Sequence, residues 1–489
     1  AFGSTALGQF LATFRRSGPG TSKKALMEGV VAQAYISPDS PLRQAAASNL
    51  YAHITEMIQQ CRSKSIPVIV CTLASNERGL APIGKCDLSG LTPDERSRLT
   101  MLLNRGSSEI ALDVGKAVDD FESALRIDPH HARLHYLLGR ALEAQGDEST
   151  ATEHFRRAID LDPMPWRAPS SSMDAVRRAA ADGGAVLCDV QQAFRDASPT
   201  GAVGWELMDD HVHPTLKGQW LVAKSILSTL TSFDGKLHVS RSDLDSLSGF
   251  RAYARRLGDN FYDRFGVIES MCRLFDISFM KASNPDASRR IASRREALLA
   301  EMSSILREQV RKWADPTTHS GFKIPLSGMV ARIKMRQGLL GEAEALFRAA
   351  RRHVPGYTGP YFEHTCFALA CRQQTAGTLT ESDRQLARDT IDRIALFLQF
   401  AKDSSGQPER FMGRLYQILG DHRAAIPRLL TAANKLTGDN RTKAELALVA
   451  SYVQTGDTKA ARTVLENGVQ RGGAGAPLYR QLLSTLPSN

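Results

Sequence analysis

A chain of 489 residues with 42% hydrophobic and 23% charged residues can fill two or three cores, which excludes a disordered polyelectrolyte. The formal net charge of +10 arises from dispersed pairs such as Arg289-Arg290, Arg294-Arg295 and Arg351-Arg352, which read as solvated helix faces, with a nucleic-acid or anionic-surface patch the lesser alternative, so that no nucleic-acid partner is expected. No run approaches the roughly 20 consecutive apolar residues of a membrane span, and the seven cysteines contain no C-x-x-C pair or zinc-like spacing.

The chain begins at Ala1 without a basic-then-apolar leader, and Ala1-Phe-Gly-Ser-Thr-Ala reads like the interior of a longer protein. The expectation is a fragment. Any membrane anchor or export signal would then belong to a missing N-terminal piece, and localisation is left unassigned. Ser4 precedes no strand–turn–helix pattern and is a poor nucleophile candidate.

Over 45–61, Leu50, Ile54, Met57 and Ile58 recur at helical spacing. The following run, Ile66-Pro-Val-Ile-Val-Cys-Thr-Leu73, is short, branched and apolar, as a buried parallel strand is. Directly behind it comes Ala74-Ser75-Asn76-Glu77, in which Asn76 is open to three readings: an oxyanion donor, a substrate-side loop residue or a plain turn residue.

Between 80 and 165 the pattern becomes repetitive. Ala117, Phe121, Ala124, Asp128 and Pro129 return 34 residues later as Ala151, Phe155, Ala158, Asp162 and Pro163, with Leu138-Gly139 and Gly146 between them. Small residues let two antiparallel helices approach, and the bulky residue one turn on fills the groove beside them. These hairpins, taken as 114–163, resemble tetratricopeptide repeats; the plainer alternative is ordinary α-hairpin packing.

A helix over 174–181 then leads into a second strand-like run, Ala185-Val-Leu-Cys-Asp-Val190. Helix then strand, twice, argues for a parallel sheet covered by helices. The polar cluster Asp209-Asp210-His211-Val212-His213-Pro214 follows, ahead of an amphipathic helix from Leu216. With Gly218 behind it, this block resembles the Asp-x-x-His block of SGNH (GDSL-type) ester hydrolases. The whole arrangement is similar to bacterial SGNH-like proteins with a tetratricopeptide insert and further repeats behind.

That resemblance implies an α/β fold, a partial SGNH or flavodoxin-like parallel sheet over 1–113 and 164–233, with inserted and C-terminal all-α repeats. By the same resemblance His213 is the general base and Asp210 orients its imidazole, while no cofactor and no metal are implied. No Gly-Asp-Ser block occurs, so the nucleophile is expected upstream of Ala1 and the chain alone is expected to be inactive. The reaction implied for a complete parent is hydrolysis or transfer of an ester acyl group on an ester substrate of unknown type. The other reading is a non-catalytic tetratricopeptide scaffold with a degenerate hydrolase domain.

Residues 234–320 are polar and helical in pattern and read as a connector. From 321 onward the small–large–small pattern returns at Gly338, Ala343, Phe347, Ala350 and Pro355, at Gly413, Tyr416, Gly420, Ala425, Leu429 and Ala432, and more loosely at Tyr452, Gly456, Ala461 and Leu465. A protein or peptide partner on these repeats is the expectation.

Overall fold

In the computed structural model the described residues are 35–318, 323–401 and 405–486. They fall into two units, the first within 1–250 together with 271–292 and the second within 251–270 together with 293–489. The segment read as a connector therefore contributes helices to both.

The first unit opens with α1 (Pro41–Arg62), started by the Ser40 side chain, which accepts from the Leu42 amide, and by proline at the first helical position. Next is β1 (Ile69–Cys71), much shorter than the apolar run 66–73. Pro67 has no amide to give to a ladder, and Leu73 at the far end is 63% exposed. Four helices follow: α2 (Pro93–Glu109), α3 (Val114–Ile127), α4 (Ala132–Gln145) and α5 (Glu148–Asp160). They form two antiparallel hairpins around one core, in which Ala117, Phe121, Ala124, Ala151, Phe155 and Ala158 are all buried. The alanines and phenylalanines that recur in the sequence are thus the ones that face inward.

After the hairpins come α6 (Ser170–Gly183), β2 (Val186–Cys188), α7 (Val190–Ala197), α8 (Leu216–Thr229) and α9 (Arg241–Asp245). The two strands pair in parallel, as expected, with Ile69 opposite Val186 and Cys71 opposite Cys188. Helix α6 packs on both strands, and α8 on β2. The expected SGNH or flavodoxin-like sheet is not seen. Among the described residues the only sheet has two strands of three residues each, too little backbone to make a layer for helices to cover. The fold is mostly helical and tetratricopeptide-like.

Helices α10 (Phe250–Leu257), α11 (Phe261–Phe275), α12 (Ser278–Ser283), α13 (Pro285–Ala300) and α14 (Ser304–Ala314) lead to the later repeats. In the second unit α15 (Leu326–Arg336) pairs with α16 (Leu340–Arg352), α17 (Gly359–Ala376) packs against α16 and α18 (Glu381–Phe400), and α19 (Gln407–Ile418) pairs with α20 (His422–Lys435). The series continues through α21 (Gly438–Gln454), α22 (Thr458–Arg471) and α23 (Ala476–Thr485). Ala343, Phe347, Ala350, Ala425, Leu429, Ala432, Ala461 and Leu465 are all fully buried.

Three of the hairpin turns share one device. Gly146, Gly420 and Gly456 take φ of +90°, +84° and +83°, a region that costs other residues strain. Each is followed by an aspartate, Asp147, Asp421 or Asp457, whose side chain caps the next helix by accepting an amide at 3.1, 2.9 and 3.0 Å respectively. One residue ends a helix and the next begins its partner. No described helix is long and apolar enough to cross a membrane.

Candidate functional site

The loop between α7 and α8 is closed on itself before any chemistry is considered. Met208 and Pro214 form an antiparallel bridge, the Asp209 amide donates to the His213 carbonyl at 2.8 Å, and the Thr215 amide donates to the Leu207 carbonyl at 2.8 Å. Thr215 caps α8 by accepting from the Gly218 amide at 3.1 Å. A side chain at Gly218 would meet the Leu207 carbonyl at 2.4 Å, so only glycine lets α8 come this close to the loop.

Within this frame Asp210 is buried and fully used. One carboxylate oxygen accepts the Val212 and His213 amides at 2.8 and 2.7 Å, and the other faces His213 Nδ1 at 2.7 Å. A carboxylate only accepts, so Nδ1 carries the hydrogen and, in the neutral ring, Nε2 keeps its lone pair. The His213 side chain is 73% exposed, and no described hydroxyl or thiol is hydrogen-bonded to Nε2. Chemically the pair is a base with its tautomer set by an aspartate. Ser4 lies outside the described residues.

His211, two positions earlier, is a different kind of group. It is buried against Trp166 with ring centroids 5.0 Å apart, and its Nδ1 has no hydrogen-bond partner. Burial pushes its pKa below the ordinary histidine value, against the opposing pull of Asp210. Its carbonyl accepts the Asn76 amide at 3.0 Å, which ties the loop after β1 to the Asp210 loop.

Asn76 is fully buried. Its side-chain oxygen accepts the Gly79 amide at 2.8 Å, while its Nδ2 has no partner. The turn bond is the one job the structure gives this side chain, although a buried unpartnered amide is an unusual cost. Arg167 supports the same loop, donating to the carbonyls of Asn76 at 3.0 Å and Leu80 at 2.8 Å. It is fully buried beside Asp162, 3.8 Å away, and burial draws its pKa down while raising that of Asp162. Glu77, also buried, accepts from Arg195 at 2.9 and 2.6 Å and from the Val203 amide at 3.1 Å. Sequence reading missed Arg167, Glu77 and Arg195, because each acts on a partner about 90 or more residues away.

A cleft of about 420 Å³ adjoins this region, lined by Leu73, Ala74, Ser75, Trp166 and Val212 among others. Among the described residues no group of three or more histidine, cysteine or acidic side chains converges as metal ligands.

Residues 111–163 match the tetratricopeptide repeat family model, over α3, α4 and α5 of the first unit. Among solved structures the chain is similar to the Cut9–Hcn1 hetero-tetramer of APC/C, at 14% identity over 81% of this chain and 87% of that one, with a TM-score of 0.28. It is also similar to yeast Tom70, at 12% identity over 79% and 88% with a TM-score of 0.22. The TPR domain of P58(IPK) matches at 13% identity over 74% and 99% with a TM-score of 0.21. The family match is to a tetratricopeptide repeat and lends nothing to the expectation of an SGNH domain.

Proposed function

We propose that this protein is an interaction scaffold that binds protein partners on its tetratricopeptide-like hairpins. The observation that carries this reading is the recurrence of one construction in both units: a small–large–small inward face, and in three of the hairpins a glycine–aspartate hinge. Stacked units of this kind expose long surfaces to an extended or folded partner without needing a catalytic centre. The test is crosslinking mass spectrometry on complexes captured by the full chain from its own cell extract. Crosslinks on the hairpins are expected; crosslinks confined to the Asp210 loop count against the reading.

A second reading is favoured by the 2.7 Å contact between Asp210 and His213 Nδ1. On it, the pair is the base half of an ester hydrolase or acyl-transfer site of the SGNH kind, with a nucleophile brought from outside the described residues. Asn76 then serves beside it as an oxyanion or substrate-side group. Turnover of p-nitrophenyl acetate by the complete natural gene product, abolished by His213→Ala, is the expected result. Equal turnover by the His213→Ala form rejects it.

A further inference from the structure

Beyond both readings, we propose that Cys71 and Cys188 are a paired thiol site that oxidises to a disulfide across the two-stranded sheet, with a small-molecule disulfide of the glutathione type as co-reactant. The two cysteines stand directly opposite each other in the parallel register. Opposed residues on neighbouring strands point to one face, with Cα atoms about 4.8 Å apart, inside the range of roughly 4.4–6.8 Å that a disulfide spans. Both are free thiols, and they lie within hydrogen-bonding reach of each other.

A slip of one residue would turn the two thiols to opposite faces, and side chains just past the strand ends prevent it. Thr72 donates its amide to the Cys188 carbonyl at 3.2 Å and its hydroxyl to Asp189 at 2.7 Å, and it accepts the Gln191 amide at 2.9 Å. Asp189 is held in turn by Arg177 at 2.9 Å. This lock acts along the strands. Across them each strand has only three residues, so little ladder resists the small approach that a sulfur–sulfur bond asks of the two Cβ atoms.

The two thiols differ in access: Cys188 is buried and Cys71 half-buried, so exchange begins at Cys71. Its thiolate attacks one sulfur of the glutathione disulfide, the sulfur–sulfur bond breaks, and one glutathione leaves as a thiolate that takes up the proton Cys71 gave away. The Cys188 thiolate then attacks the Cys71 sulfur and expels the second glutathione. The two cysteines are oxidised by two electrons, and one glutathione disulfide is reduced to two thiols. Burial first, and then the neighbouring Cys188, push the Cys71 thiol up to about 11. Little of it is thiolate near neutral pH, and the first step speeds up roughly tenfold for each pH unit below that value. The same property makes Cys71 a poor leaving group, so the bond, once made, resists reduction. It closes the chain over 72–187, which carries α2 to α6. Closing so long a loop restricts the unfolded chain and staples the ends of the hairpin segment together.

The test uses the full chain, reduced, freed of reductant and incubated with glutathione disulfide at about pH 8 and about pH 9, with intact mass and non-reducing peptide mapping as the readouts. The wild type is expected to lose two hydrogens in mass, to yield a peptide pair joined through Cys71 and Cys188, and to form it about ten times faster at the higher pH. The melting midpoint of the first unit is expected to rise by about 5 °C or more and to return on reduction. Cys188→Ala keeps a small apolar side chain in the core and is expected to stop at the mixed disulfide, with one glutathione on Cys71 and no rise in midpoint. Cys71→Ala is expected to take up no glutathione at the buried Cys188. Absence of the joined peptides in the wild type, a Cys71 adduct that Cys188 never resolves, or a bond through another cysteine in its place overturns the site; the wild-type result decides this without either variant. A joined chain that melts no higher overturns the staple.

Discussion

Asp210 and His213 share a hydrogen bond but carry different structural burdens. Asp210 is buried and accepts two backbone amides as well as the imidazole, so Asp210→Ala strands buried donors and is expected to cost about 2–4 kcal/mol in urea unfolding. His213 projects into solvent, and His213→Ala is expected to change stability by no more than about 0.5 kcal/mol. A large cost for His213→Ala would mean that the ring braces the loop and is not held ready for a reaction. His364 tests a different balance. Both its ring nitrogens are buried without partners, and burial, aided by Arg332, pushes its pKa from 6.5 down to about 3. The folded state therefore refuses a proton that the unfolded chain accepts near pH 6.5. The stability held by the neutral ring is complete above that pH and is lost progressively as pH falls toward 3. Urea midpoints of His364→Leu are expected to fall less steeply than wild type across this window; parallel slopes would contradict the burial of a neutral ring.

At the scale of elements, the hairpins were legible because the recurring residues are the packing itself. Ala117, Phe121 and Ala124 must face inward for two helices to touch, so the pattern survives in the sequence. Phe155→Ala is expected to cost about 3–5 kcal/mol, with amide hydrogen exchange rising in α4 and α5; unchanged protection there would mean the hairpin does not depend on this core. Gly420→Val, at φ +84°, is expected to cost about 1–2 kcal/mol through left-handed strain, seen as a lowered melting midpoint. The strands were overread for a physical reason. A branched apolar run marks burial, yet it does not say how many neighbours bury it, and among the described residues β1 has one strand beside it. The candidate site divides along the same line. Asp210 and His213 were visible because they stand three positions apart on one loop. The Asn76–His211 bond and the Arg167 brace were not, because they join segments far apart in the chain.

At the scale of the molecule, the same repeat chemistry built twice is what favours binding over catalysis. Each unit has its own buried clusters, Phe121 and Phe155 in the first and Phe265 and Phe347 in the second. Phe155→Ala should therefore lower the midpoint of one thermal transition and leave hydrogen-exchange protection in α15 to α22 unchanged. Loss of protection throughout would show a single cooperative fold. The measurement that bears most directly on the scaffold reading is crosslinking of the full chain to the partners it retains from its own cell extract, with each crosslinked residue mapped. The expected result is a specific partner whose crosslinks fall on α2 to α5 or α15 to α22. Retention of no specific partner, together with ester turnover by the complete gene product that His213→Ala abolishes, would contradict it.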